Sequence, residues 1–176
     1  ARAAGKCHAR TVSRRREVLS MNSTVDQVPV FGQRDPGHDY VRRPSVYTLL
    51  HDAAGNVAVV RTPRGCYLPG GGAEKGETPQ QTVEREAREE CGFVLRVHSR
   101  LGSAIQFCYS EDERAYFEKI CDFLSAEIVG VTTPTESDHE VLWVTPDQAC
   151  SMLLHESHRW AVQRFFSGGK TPDSSA

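Results

Sequence analysis

Residues 71–93, GGAEKGETPQQTVEREAREECGF, specify a helix whose two ends are both marked and whose buried face is narrow. Thr78 stands at the N-cap and Pro79 at the first helical position, while Gln81 sits three residues after the cap, where a capping box wants its partner. Gly92 ends the helix, because glycine adopts the left-handed conformation of a C-terminal cap at little cost. With Val83 at the origin, Ala87 falls at about 40° and Cys91 at about 80°, an apolar stripe that must lie on a sheet or another core surface. Glu90 follows at about −20°, Glu86 at about −60° and Glu89 at about −120°, so an acidic stripe runs directly beside the apolar one. Glu90, next to the stripe, is expected to be partly shielded from water. Arg85 lies four residues before Glu89 and can hold that carboxylate.

Like charges three and four residues apart cost a few tenths of a kcal/mol per pair even when exposed. Shielding raises the cost and drives protons onto the carboxylates unless positive charge sits among them. A solvated charged face is one reading. A divalent cation taking oxygen ligands is the other, and Mg²⁺, with Mn²⁺ as substitute, suits two or three carboxylates plus waters.

The rest of the chain supplies a frame for that helix. Its 176 residues suit one domain, with 39% apolar and 25% charged residues. A net charge of −2 gives no global attraction to nucleic acid or an anionic membrane. The six cysteines are scattered, with no Cys-x-x-Cys pair, and nothing marks secretion, so reduced thiols and a cytoplasmic location are expected. Residues 1–20 are basic and poor in large apolar groups, and read as a disordered leader or an appended extension; a nucleic-acid arm would make affinity strongly salt-dependent. The domain is expected over 21–167 and a flexible tail over 168–176.

Runs 45–52 and 56–62 read as a hairpin through Ala-Ala-Gly, and 66–72 as a short strand entering a glycine-rich loop. Two long strands, 93–110 and 114–129, flank the charged turn Glu111–Glu113, and 140–145 is a further strand. Segments 146–155 and 157–167 read as helices, the second capped by Ser157 and burying Trp160, Phe165 and Phe166. The order β-β-β-α-β-β-β-α-α gives an α+β fold, a mixed sheet with helices packed on it.

The spacing from Gly71 through Glu77, Arg85-Glu86-Ala87 and Glu89-Glu90 to Gly92-Phe93 resembles the signature box of the Nudix hydrolases (MutT-like) at every fixed position. At ~6% usage per fixed residue, a chance match is on the order of 10⁻⁷ in a chain this long. The Leu68-Pro69-Gly70-Gly71 lead-in and the Trp143 strand are similar to that family too. The resemblance implies a mixed sheet sandwiched between helices (α/β/α) and metal-dependent hydrolysis of a nucleoside diphosphate linked to another group. It implies Glu86, Glu89 and Glu90 as metal ligands with the Gly71 carbonyl added, and Arg85 with Glu77 as the pair that orients the helix. It also implies a general base in the box or on a later loop. Here that loop is TPTESDHE, 133–140, where Glu136 ranks before Asp138 and Glu140, with Glu118 as a strand-borne alternative.

Substrate choice rests outside the box. Arg42 and Arg43 could meet substrate phosphates, and Tyr109 could stack on a base. No proline lies between Pro79 and Pro134, which counts against an ADP-ribose class. Nucleoside triphosphates, damaged ones included, and dinucleoside polyphosphates are the expected small-molecule partners, and a homodimer is compatible with a domain of this kind. The alternative is a Nudix-fold module that binds nucleotide without cleaving it. Such proteins typically lose box carboxylates, and all are present here.

Overall fold

The computed structural model describes residues 28–167, so the readings of 1–20 as a leader and 168–176 as a tail lie outside the described residues. Alternating apolar positions in the long β-rich runs bury both faces of one sheet, and this determines where the helices go. In chain order the elements are β1 (Val30–Phe31), β2 (Tyr40–Leu49), β3 (Val57–Thr62), β4 (Gly65–Tyr67), β5 (Gly70–Gly72), α1 (Pro79–Cys91), β6 (Phe93–Ser110), β7 (Ala115–Val131), β8 (Glu140–Val144), α2 (Pro146–Met152) and α3 (Glu156–Ser167). A five-stranded sheet runs β1-β6-β7-β2-β5, and a three-stranded sheet runs β4-β3-β8. The larger sheet is mixed, with β2–β7 parallel and β6–β7 antiparallel.

Strand β2 explains the layering. Tyr47 and Leu49 join Phe123 of β7 and Ala161 and Val162 of α3 in one cluster. Val46, on the opposite face, packs with Val83 of α1 and Leu124. A strand buried on both sides belongs inside a sheet with a helix on each face, the expected α/β/α sandwich. Among the described residues no helix is long and apolar enough to cross a membrane.

Some local expectations change. The turn joining 45–52 to 56–62 forms, with the Asp52 carboxylate accepting from Ala54 N and Asn56 N at 2.9 and 2.8 Å. The chain nevertheless changes sheet across it: β2 pairs with β7 and β5, whereas β3 pairs with β4 and β8. Helix α3 begins at Glu156, so Ser157 is not its cap but a buried residue inside it, whose N–H donates to Gln106 Oε1 at 3.1 Å. Its neighbour Glu156 accepts from Gly32 N at 3.0 Å, which ties the helix start to the residue after β1. Trp160 and Phe165 reach the core as expected, while Phe166 stays 37% exposed with its ring on Phe165.

Candidate active site

Helix α1 is built as its sequence dictates. Thr78 Oγ1 accepts from Gln81 N, the Gln81 side chain accepts from Thr78 N at 2.9 Å, and Val83, Ala87 and Cys91 are buried. Gly92 closes the helix at φ 67°, and here glycine is obligatory twice over, since a Cβ would come within 2.2 Å of Thr132 O. The same glycine brings in a second segment, because Thr132 N donates to Gly92 O at 2.7 Å.

Arg85 is the hub of the charged face. Its Nε and Nη2 donate to the two oxygens of Glu77 at 2.7 and 3.0 Å, a bidentate pair across the turn that precedes the helix. Nη1 reaches Glu86 at 2.9 Å and Glu89 at 3.1 Å, and Nη2 also donates to Gly72 O at 3.1 Å. The contact to Glu89 is the i,i+4 pair expected from the wheel; those to Glu77 and Gly72 tie the glycine loop to the helix. The guanidinium, helped by Glu74 N–H, holds the Glu77 carboxyl down to about 2.

On the other side of the stripe the balance reverses. Glu86 and Glu90 have side chains only 14% and 12% exposed, against 40% for Glu89. Glu90 Oε2 accepts from Gly70 N at 3.0 Å, and the Glu86 carboxylate lies so close to Gly71 that a Cβ there would meet it at 2.7 Å. Burial pushes Glu90 up to about 8 against the pull of that N–H, with Glu86, Glu136 and Glu89 adding to the rise. Burial also raises Glu86, partly offset by Arg85. Behind the loop, fully buried His158 accepts from Leu68 N at 3.1 Å through Nδ1, which positions the glycines from the opposite helix.

Residues 132–139 complete the site from outside the helix. Thr135 N and Glu136 N both donate to Glu89 O, at 2.9 and 3.1 Å, so the loop crosses the last turn of α1. Glu136, 41% exposed, contacts His139 Nδ1 at 2.5 Å, and His139 Nε2 stands 3.9 Å from Glu90 Oε1. Asp138 is two-thirds exposed, and Glu140 points away to Arg61. His139 escaped the sequence reading although it falls three residues after Glu136 in the same loop.

The other expected residues sit apart from this group. Arg42 is exposed and, with Pro44, Val46, Ala73, Glu77 and Pro79, lines a cavity of about 300 Å³ at the start of α1. Arg43 has protein partners: a bidentate pair with Glu113 at 2.7 and 2.5 Å and the face of Phe117 at 4.1 Å. Tyr109, 45% exposed, packs on Tyr116 at the far end of the β6–β7 hairpin. Tyr116 pairs with Tyr40, six residues along β2 from the Val46 that faces Gly71, a span of about 20 Å. Glu118 lies opposite Arg42 and Phe107 in the sheet.

Enclosed carboxylates of like charge, one of them accepting from the loop's N–H, form a donor set that suits a hard divalent cation. Glu86, Glu89 and Glu90 can supply the oxygens.

A family model described as NUDIX domain matches residues 41–166. The putative 8-oxo-dGTP diphosphatase 3 of Mycobacterium tuberculosis is 31% identical over 101 residues, 55% of this chain and 45% of that protein. An 8-oxo-(d)GTP phosphatase of Mycolicibacterium smegmatis is 27% identical over 120 residues, 67% of this chain and 36% of that protein. The chain therefore spans less than half the length of these curated relatives. Among solved structures, a NUDIX hydrolase from Nitrosomonas europaea superposes with a TM-score of 0.60 at 17% identity, covering 76% of this chain and 94% of that one. A MutT protein from Methanosarcina mazei gives 0.56 at 21% identity, covering 76% and 99%.

Proposed function

We propose, since this chain belongs to the Nudix family, that it is a divalent-metal-dependent hydrolase that cleaves a pyrophosphate linkage in a nucleotide. The observation that carries the reading is the convergence of Glu86 and Glu90, both enclosed, on the Gly70–Gly71 loop while Arg85 secures Glu77 and Glu89 beside them. Bound among these oxygens and the Gly71 carbonyl, Mg²⁺ or Mn²⁺ would neutralise charge on the pyrophosphate and acidify a water. The chain's own residues do the rest. Arg85 and Glu77 keep the carboxylates from reorienting, and the Gly70 N–H holds one Glu90 oxygen. Glu136 accepts a proton from the attacking water, whose oxygen bonds to phosphorus as the bridging P–O bond breaks.

Nucleoside triphosphates are the favoured class, oxidised purine triphosphates among them, since the curated relatives carry names of that kind. Arg42, on the cavity beside Glu77, is the basic residue best placed to meet phosphate, because Arg43 is paired with Glu113. Tyr109 would contact only a substrate long enough to span about 20 Å, such as a dinucleoside polyphosphate. The test is product formation, followed by chromatography, from a panel of triphosphates, oxidised dGTP, dinucleoside polyphosphates, ADP-ribose and nucleotide sugars, with and without Mg²⁺ or Mn²⁺. Metal-dependent conversion of a triphosphate to monophosphate and pyrophosphate is expected. Metal binding with no cleavage of any member would overturn the hydrolase reading in favour of a nucleotide-binding module.

A further inference from the structure

Glu90 and Glu136 reach the site from different elements, and between them stands an imidazole to which the reading above gives no role. His139 is 16% exposed and its Nδ1 is fully enclosed. That atom faces Glu136 Oε2 at 2.5 Å and Asp138 Oδ1 at 3.4 Å, charge contacts whose angles fall short of a hydrogen bond. The other nitrogen, Nε2, faces Glu90 Oε1 at 3.9 Å. One donor atom from each of Glu90, Glu136 and His139 lies within 4.8 Å of the other two. Two ligands of a small divalent ion, each about 2.1 Å from it, stand at most about 4.2 Å apart. The Glu90–His139 separation falls inside that limit.

The surroundings of Nδ1 supply the second half of the pattern. A metal-bound imidazole almost always turns its other nitrogen toward a carboxylate or carbonyl, which fixes the tautomer and raises the basicity of the ligating atom. Glu136 and Asp138 occupy that position. The loop is also held in place without any ion, because Thr135 N and Glu136 N are bonded to Glu89 O.

We propose that His139 offers Nε2 as a nitrogen ligand to the cation held by Glu90, with Glu136 and Asp138 bracing Nδ1, so that this centre favours Mn²⁺ over Mg²⁺. Mg²⁺ takes oxygen and keeps its waters, whereas Mn²⁺, though oxygen-preferring, is a transition ion that accepts an imidazole nitrogen more readily than Mg²⁺ does. The inference rests on the hydrolase reading only in sharing its cation.

Mn²⁺ bound to the full chain, added below one equivalent and without nucleotide, tests it through electron spin-echo modulation. The expected spectrum carries coupling to one imidazole nitrogen, and His139→Gln loses it. In that variant Mn²⁺ affinity falls by at least the about 10-fold that loss of an outer-shell partner alone costs, while Mg²⁺ affinity, read by competition, changes far less; an equal loss for both ions would assign His139 to loop packing and overturn the proposal. Tightly bound Mn²⁺ with only oxygen and water couplings, or a nitrogen coupling that survives His139→Gln, overturns the ligand and leaves the hydrolase reading standing. No Mn²⁺ binding at millimolar concentration overturns both. If that variant fails to fold, His139→Asn takes its place, and a wild-type spectrum without nitrogen coupling overturns the ligand by itself.

Discussion

Glu77 and Glu90, at opposite ends of α1, both have largely covered side chains, 16% and 12% exposed, but Glu90 lies far deeper in the fold, and their protons are held in opposite senses. Glu77 receives both edges of the Arg85 guanidinium, with Glu74 N–H and the Thr82 hydroxyl, and is held down to about 2. Glu90 receives one backbone N–H amid other carboxylates, and burial pushes it up to about 8. Depth of burial and the partner at hand together set the two carboxylates apart. A paired carboxylate braces the fold, and one surrounded by like charge is the one the proposed cation would relieve.

That contrast can be broken most severely at the unpaired end. Glu90→Gln keeps an oxygen for the Gly70 N–H but removes the charge, so turnover should fall about 10²–10⁴-fold with the folded state retained. Glu89→Gln is expected to behave alike. Near-native rates in both would dissolve the distinction between the two ends. At the paired end, Arg85→Ala leaves the Glu77 and Glu86 carboxylates without their cation, and urea denaturation should show a loss of about 2–3 kcal/mol. An unchanged midpoint would mean that the guanidinium network does not brace the helix.

The effect sharpest on sign is a pH dependence. In metal-free protein the raised Glu90 favours the folded state below its unfolded value near 4.5, and that contribution is lost as pH rises from 4.5 toward 8. Buried His155 and His158 work the other way, because their lowered values cost stability as pH falls below 6.5. The difference between wild type and Glu90→Gln isolates the glutamate. The two should be closest near pH 4, with wild type falling behind as pH approaches 8 and recovering on addition of Mg²⁺. A difference that stays flat across this range would remove burial as the cause.

Helix α1 was legible because every feature of it is local. The capping box, the Gly92 terminus, the Val83–Ala87–Cys91 stripe and the Arg85–Glu89 pair depend on spacings of three or four residues. The Arg85–Glu77 pair was accessible only through the family resemblance, since Glu77 precedes the helix and no helical spacing relates the two. The change of sheet after β2 was not legible: a turn with good local chemistry joins strands equally well within a sheet or between sheets. Ser157 misled for a related reason. Its residue type suits a cap, but the buried Gln106 side chain takes its N–H instead.

What the sequence determined by itself was the helix, its acidic stripe and the family that uses such a stripe, because those follow from covalent spacing along one element. Only the tertiary structure decided which glutamates are enclosed, that Gly70 N–H turns to Glu90, and that His139 stands between Glu90 and Glu136. Each of these contacts joins residues from separate elements, and their encounter is set by how the helices and strands pack around the shared core rather than by distance along the chain.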